Sequence, residues 1–157
     1  MNPETLICVV DASAAVKHVL REEWSANVLA LFNASTLAHR RIVGPPHIIS
    51  ESMNAIYQRL RTNRAEWRLS DDEVDTALAT FLLLPIQPLD PPGLYLRAFD
   101  IARQYNLPST YDALYVALAQ MLDAELWTAD RRLYDIVATS APWVRWIGDY
   151  PLTPVSG

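Results

Sequence analysis

The stretch Thr5-Leu-Ile-Cys-Val-Val-Asp-Ala-Ser13 decides the fold. Its first six residues form an apolar run rich in Ile and Val that stops abruptly at Asp11, as expected for a buried strand followed by a turn. Such strands belong to parallel sheets covered by helices, whose neighbours are joined by helical crossovers. Asp11 then stands just past the strand's carboxyl end.

Outward from this strand, Ser13 to Leu20 and Trp24 to Leu37 predict two helices. Val28, Leu29, Leu31 and Phe32 recur at helical spacing, with Glu22 and Glu23 near the second start. Arg41 to Gly44 predicts a short strand, and Pro45-Pro46 opens a helix reaching Leu60. Within that helix Met53, Ile56, Tyr57 and Leu60 make a core stripe, which leaves Glu51, Asn54 and Gln58 on the other side. Ser70-Asp-Asp-Glu73 is a capping box for a helix that stops near Pro85. Ile86 to Leu89, Glu125 to Thr128 and Val144 to Ile147 predict strands, and Gly93 to Tyr105 and Thr110 to Leu122 predict helices. The rhythm predicts a three-layer α/β/α sandwich with a central, mainly parallel five-stranded sheet.

Four acids draw attention by position. In open α/β sheets ligands bind outside the carboxyl ends of the strands, where strand order reverses. Asp11 and Asp130 follow two strands, Asp112 opens an apolar helix, and Glu51 lies opposite its helix's core stripe. Each has an ordinary alternative: Asp112 as a helix cap, Asp11 and Asp130 as turn residues, Glu51 as solvated surface. Convergence requires the first and fourth strands to be neighbours. Converging carboxylates suit a hard divalent cation, which prefers oxygen ligands and can activate water for phosphodiester hydrolysis.

Four segments, Val9-Val-Asp11-Ala-Ser-Ala-Ala15, Ile49-Ser-Glu51-Ser-Met-Asn54, Tyr111-Asp112-Ala-Leu-Tyr-Val-Ala117 and Trp127-Thr128-Ala-Asp130-Arg-Arg-Leu133, resemble PIN-domain signatures and occur in family order. The similarity runs from about Leu6 to Gly148 and is greatest to the VapC group of toxin ribonucleases. It implies that Asp11, Glu51, Asp112 and Asp130 form a catalytic Mg²⁺ or Mn²⁺ site, with Ser13 and Thr128 supporting the carboxylates. Asn54, one turn beyond Glu51, would meet substrate or water. The resemblance also implies an RNA substrate, a small VapB-like antitoxin and a homodimer. A catalytically inactive, protein-binding PIN scaffold is the alternative of a different class.

Composition sets further bounds. With 157 residues, 51% of them apolar and 20% charged, the chain is expected to form one domain over 1–157. Its net charge of −5 opposes bulk electrostatic binding of nucleic acid. The four acids contribute −4 of that, leaving −1 elsewhere, and a loaded metal would make their site attract phosphate. Arg59, Arg61, Arg64 and Arg68 form the most basic stretch, either a solvated face or an RNA contact. One cysteine excludes an intrachain disulfide, and Cys8 is expected in the core. The first ten residues suit neither a signal peptide nor a membrane span, so a cytoplasmic protein is expected, with no membrane partner. Three scattered histidines argue against zinc. A dehalogenase-type phosphatase would want an acid where Ser13 stands, and the acids and lysine of a receiver domain are missing.

Overall fold

The computed structural model describes residues 6–152. Five strands, β1 (Ile7–Val10), β2 (Arg41–Gly44), β3 (Ile86–Pro88), β4 (Glu125–Thr128) and β5 (Val144–Trp146), form one sheet in the order β3-β2-β1-β4-β5. Every pairing is parallel, so the expected mainly parallel sheet is wholly so. Cys8, Val9 and Val10 are all buried although successive side chains point to opposite faces, so both faces of the sheet are covered. At the edge, β3 is largely exposed and ends in Pro88, which a central strand would not tolerate.

Seven α-helices complete the layers: α1 (Ala12–Ala15), α2 (Ser25–Leu37), α3 (Ile48–Arg61), α4 (Asp71–Leu82), α5 (Leu94–Tyr105), α6 (Thr110–Met121) and α7 (Arg131–Val137). The most apolar of them, α6, packs on β1, β4 and α5 and buries Ala113 through Ala119 without a break. Each large side chain sequestered there, such as Leu118, contributes roughly 1.5–3 kcal/mol. The capping box of α4 is formed as expected: Ser70 N donates to Glu73 Oε2 at 2.8 Å and Glu73 N to Ser70 Oγ at 3.2 Å. Cys8 is a core residue.

Several local expectations are corrected. Thr5 lies outside the described residues. The first helix is only one turn long and passes into a 3₁₀ turn over Val16–His18. Ser25 pins the loop after it, accepting from Glu22 N at 3.0 Å and donating to Leu20 O at 3.1 Å. Glu22 and Glu23 are not in the first turn of α2; the Glu22 carboxylate instead bridges Lys17 and Arg59. On α3 the buried positions are Ile48, Ser52 and Ile56, while Met53 and Tyr57 are each 47% exposed. Placing the stripe one residue too late turned the helix face, because small Ser52 occupies a core position that hydropathy did not mark. The helix α7 was not predicted, although Leu133 and Val137 form an i, i+4 buried pair behind Asp130. Of the tryptophans, Trp67 stays about half exposed between Arg59 and Arg64.

Candidate active site

The strand order reverses at β1, between neighbours β2 and β4, and the register pairs Val10 with Trp127. Asp11 and Thr128 therefore emerge side by side at the carboxyl edge. The Asp11 carboxylate is buried and fully engaged. Its Oδ1 accepts from Ser13 Oγ at 2.6 Å and Ala14 N at 3.0 Å, and its Oδ2 accepts from Thr128 Oγ1. The two hydroxyls are themselves held: Ala129 N donates to Ser13 Oγ and Asp130 N to Thr128 Oγ1, both at 3.0 Å. This lattice fixes the carboxylate and joins the loops after β1 and β4.

Asp11 caps α1, and Asp130 caps α7 by accepting from Leu133 N at 3.2 Å. Asp112, the expected cap, sits in the first turn of α6 after the N-cap residue Ser109 and is free of that duty. Glu51 lies in the first turn of α3 and accepts from the Tyr115 hydroxyl at 3.1 Å. It is half-buried rather than solvated.

Asp11, Glu51 and Asp112 are all raised, and each feels the charge of Asp130. Burial, opposed by the Ser13, Thr128 and Ala14 hydrogen bonds and assisted by the Asp130 charge, pushes the Asp11 pKa up to about 6. Burial also raises Glu51; the Tyr115 hydrogen bond lowers it, and the Asp112 and Asp130 charges raise it. Asp112 is raised by burial and then by Asp130, with Arg132 pulling down. The Asp130 charge thus reaches all three others. Among the described residues no Lys or Arg forms a salt bridge with any of the four.

Donor chemistry fits a divalent cation, yet among the described residues no three His, Cys, Asp or Glu side chains already stand as a closed ligand set. A Mg²⁺-like ion needs only one or two carboxylates with water completing its shell. Asn54 is exposed one turn beyond Glu51, and no hydrogen bond links it to the acids among the described residues.

Two residues near the acids escaped sequence reasoning. Tyr115 lies three positions after Asp112 and His47 four before Glu51, spacings that share a helix face and could have flagged them. His47 Nε2 lies 3.7 Å from Glu51 Oε2, and its ring packs 4.8 Å from that of Tyr115. Burial lowers the His47 pKa, so the imidazole is neutral at neutral pH and the contact is not an ion pair. Burial and the nearby Glu51 and Asp11 charges push the Tyr115 phenol up, keeping it a donor. The basic stretch is occupied internally: Arg59 and Arg64 lie over Trp67, Arg61 over Tyr57, and Arg68 donates to Thr62 O. A cleft of about 690 Å³ between α2, α3 and α4, with Leu29, Arg59 and Ala77 in its wall, is not lined by any of the four acids.

A doubly wound parallel sheet with carboxylates at its switch point defines a class of α/β domain with an acidic active-site edge. Residues 8–138 match the PIN domain, and the chain belongs to that family. Ribonuclease VapC9 of Mycobacterium tuberculosis is 34% identical over 134 residues, 85% of this chain and 94% of the relative. Ribonuclease VapC12 of the same species is 35% identical over 130 residues, 80% and 88% of the two chains. The crystal structure of PAE2754 from Pyrobaculum aerophilum shares the fold at a TM-score of 0.57 and 21% identity, covering 90% of this chain and 92% of that one.

Proposed function

We propose that this chain is a metal-dependent endoribonuclease that hydrolyses RNA phosphodiester bonds, the toxin of a VapBC-type pair. The similarity to VapC ribonucleases carries the reading, supported by the carboxylates of Asp11, Glu51, Asp112 and Asp130, none of which is salt-bridged to Lys or Arg among the described residues. These four would hold Mg²⁺ or Mn²⁺, with Ser13 and Thr128 orienting Asp11 and exposed Asn54 facing the RNA. Once bound, the ion would supply an activated water and neutralise charge developing on the scissile phosphate. The chain's own contribution is a prearranged edge: Asp11 cannot rotate, Asp130 is fixed by its cap, and no protein nucleophile is called for.

The reading extends to a single domain over 1–157, a cytoplasmic setting and a VapB-like antitoxin. Among the described residues no helix is long and apolar enough to cross a membrane. A VapB-like antitoxin would lay its C-terminal segment over the acidic active site. Exposed Tyr95, Leu96 and Phe99 on α5 suit contact with a second copy of the chain. Purified protein incubated with RNA and Mg²⁺ or Mn²⁺ should cleave it, and EDTA or Asp112→Asn should stop cleavage. Mapped 5′ ends that are the same for wild type and Asp112→Asn would leave the non-catalytic scaffold as the better account.

A further inference from the structure

The four acids are not held alike. Asp11 is fixed by three hydrogen bonds and Asp130 by its cap. Glu51 has the longest side chain of the set and no capping role, so ordering it carries the largest rotamer-entropy cost. Its hydrogen-bond donor among the described residues is Tyr115, which reaches Oε1 at 3.1 Å. Oε2 is left without a hydrogen bond, with His47 Nε2 standing off at 3.7 Å.

Tyr115 is well placed for this task. It is 1% exposed on the buried helix α6, and its ring is wedged against His47, so the hydroxyl is a rigid donor. Phenylalanine would fill the same space without a polar atom needing a partner in the core, so packing alone does not call for the hydroxyl. It lies one turn after Asp112 and so ties Glu51, on α3, to the helix that carries Asp112.

We propose that Tyr115 is a positioning residue for the acidic site: its hydroxyl holds Glu51 Oε1 and so fixes the carboxylate that would help hold the cation. This rests on the metal-site reading above. Partners that orient a ligand in this way typically change metal affinity about 10–100-fold when removed. Tyr115→Phe should therefore raise the Mn²⁺ dissociation constant, measured by calorimetry, about tenfold or more while leaving the circular dichroism of the metal-free protein unchanged. Adding Tyr115→Phe to Glu51→Gln should weaken binding no further than Glu51→Gln alone. Glu51→Asp, which draws the acid away from an intact Tyr115, should reproduce the loss and guards against a misfolded Phe variant.

Wild-type Mn²⁺ affinity in Tyr115→Phe, or losses that multiply in the double variant, overturns the proposal. A wild-type protein that binds Mn²⁺ but leaves RNA intact overturns the ribonuclease reading alone, because the binding comparison still reports on Tyr115. A wild-type protein that binds no Mn²⁺ overturns both.

Discussion

Removing the metal should leave a protein that gains stability from mild acid, and Asp11 should be a main source. Its folded pKa of about 6 stands above the ordinary 3.8. A carboxyl shifted up binds its proton more tightly when folded, so its contribution is fully present below the unfolded pKa. It is lost as pH rises through the folded one. The full shift corresponds to about 3 kcal/mol, of which about 1.4 kcal/mol is recovered between pH 7.5 and 5. Glu51 and Asp112 shift in the same direction and add to the gain. His18 and His47, whose pKa values burial lowers, oppose it as pH falls below 6.5. The informative quantity is therefore the difference between wild type and Asp11→Asn, measured by urea unfolding in EDTA at both pH values. The variant should lack about 1.4 kcal/mol of the acid-induced gain. Equal pH dependence in the two proteins would mean that Asp11 is not held in a raised state, and the account of the buried carboxylate would fail.

Asp112→Asn should abolish RNA cleavage while raising the metal-free melting temperature, because it removes one of the mutually repelling charges; a lowered melting temperature would count against the clustering. Thr128→Val keeps the shape but strands Asp11 Oδ2 and Asp130 N, so urea titration should show a loss of about 1–3 kcal/mol per unpaired group. Mg²⁺ at a hundred times its dissociation constant should stabilise the wild type by about 2.7 kcal/mol, as read by thermal unfolding. An unchanged melting temperature in Asp11→Asn under the same Mg²⁺ is the matching control, and equal stabilisation of both proteins would argue for binding elsewhere.

Elements with a complete local signal were legible in the sequence. The Ile/Val run of β1, the capping box of α4 and the apolar continuity of α6 each specify structure within a few residues. Less complete signals misled. Hydropathy marked Met53 and Tyr57 as core because it records what a side chain tolerates, whereas Ser52 is buried by the close approach of its neighbours. The seven-residue helix α7 offers barely two turns of periodicity. For the site, resemblance supplied the four acids, but the Tyr115 hydrogen bond to Glu51 crosses from α6 to α3, a pairing of helices that the local spacing of Tyr115 from Asp112 does not record.

The bland and the functional explanations of the acids turn out to be compatible. Asp11 and Asp130 do cap helices, and Glu51 and Asp112 do occupy first turns. A wholly parallel sheet brings the starts of α1, α3 and α7, which follow β1, β2 and β4, to its carboxyl edge, so three of the four acids are collected there by topology, while Asp112 opens α6, the helix that leads into β4. There the free N–H groups and the positive ends of the long helices α3 and α6 favour negative charge over the first turn. The caps at Asp11 and Asp130 add direct N–H donors. Backbone groups therefore offset part of the repulsion that lysine or arginine would otherwise have to quench. Salt bridges to the acids would have competed with a cation, whereas backbone donors hold Asp11 and Asp130 without bringing a competing positive charge. The same feature that makes each acid look ordinary in the sequence is what lets four of them share one edge.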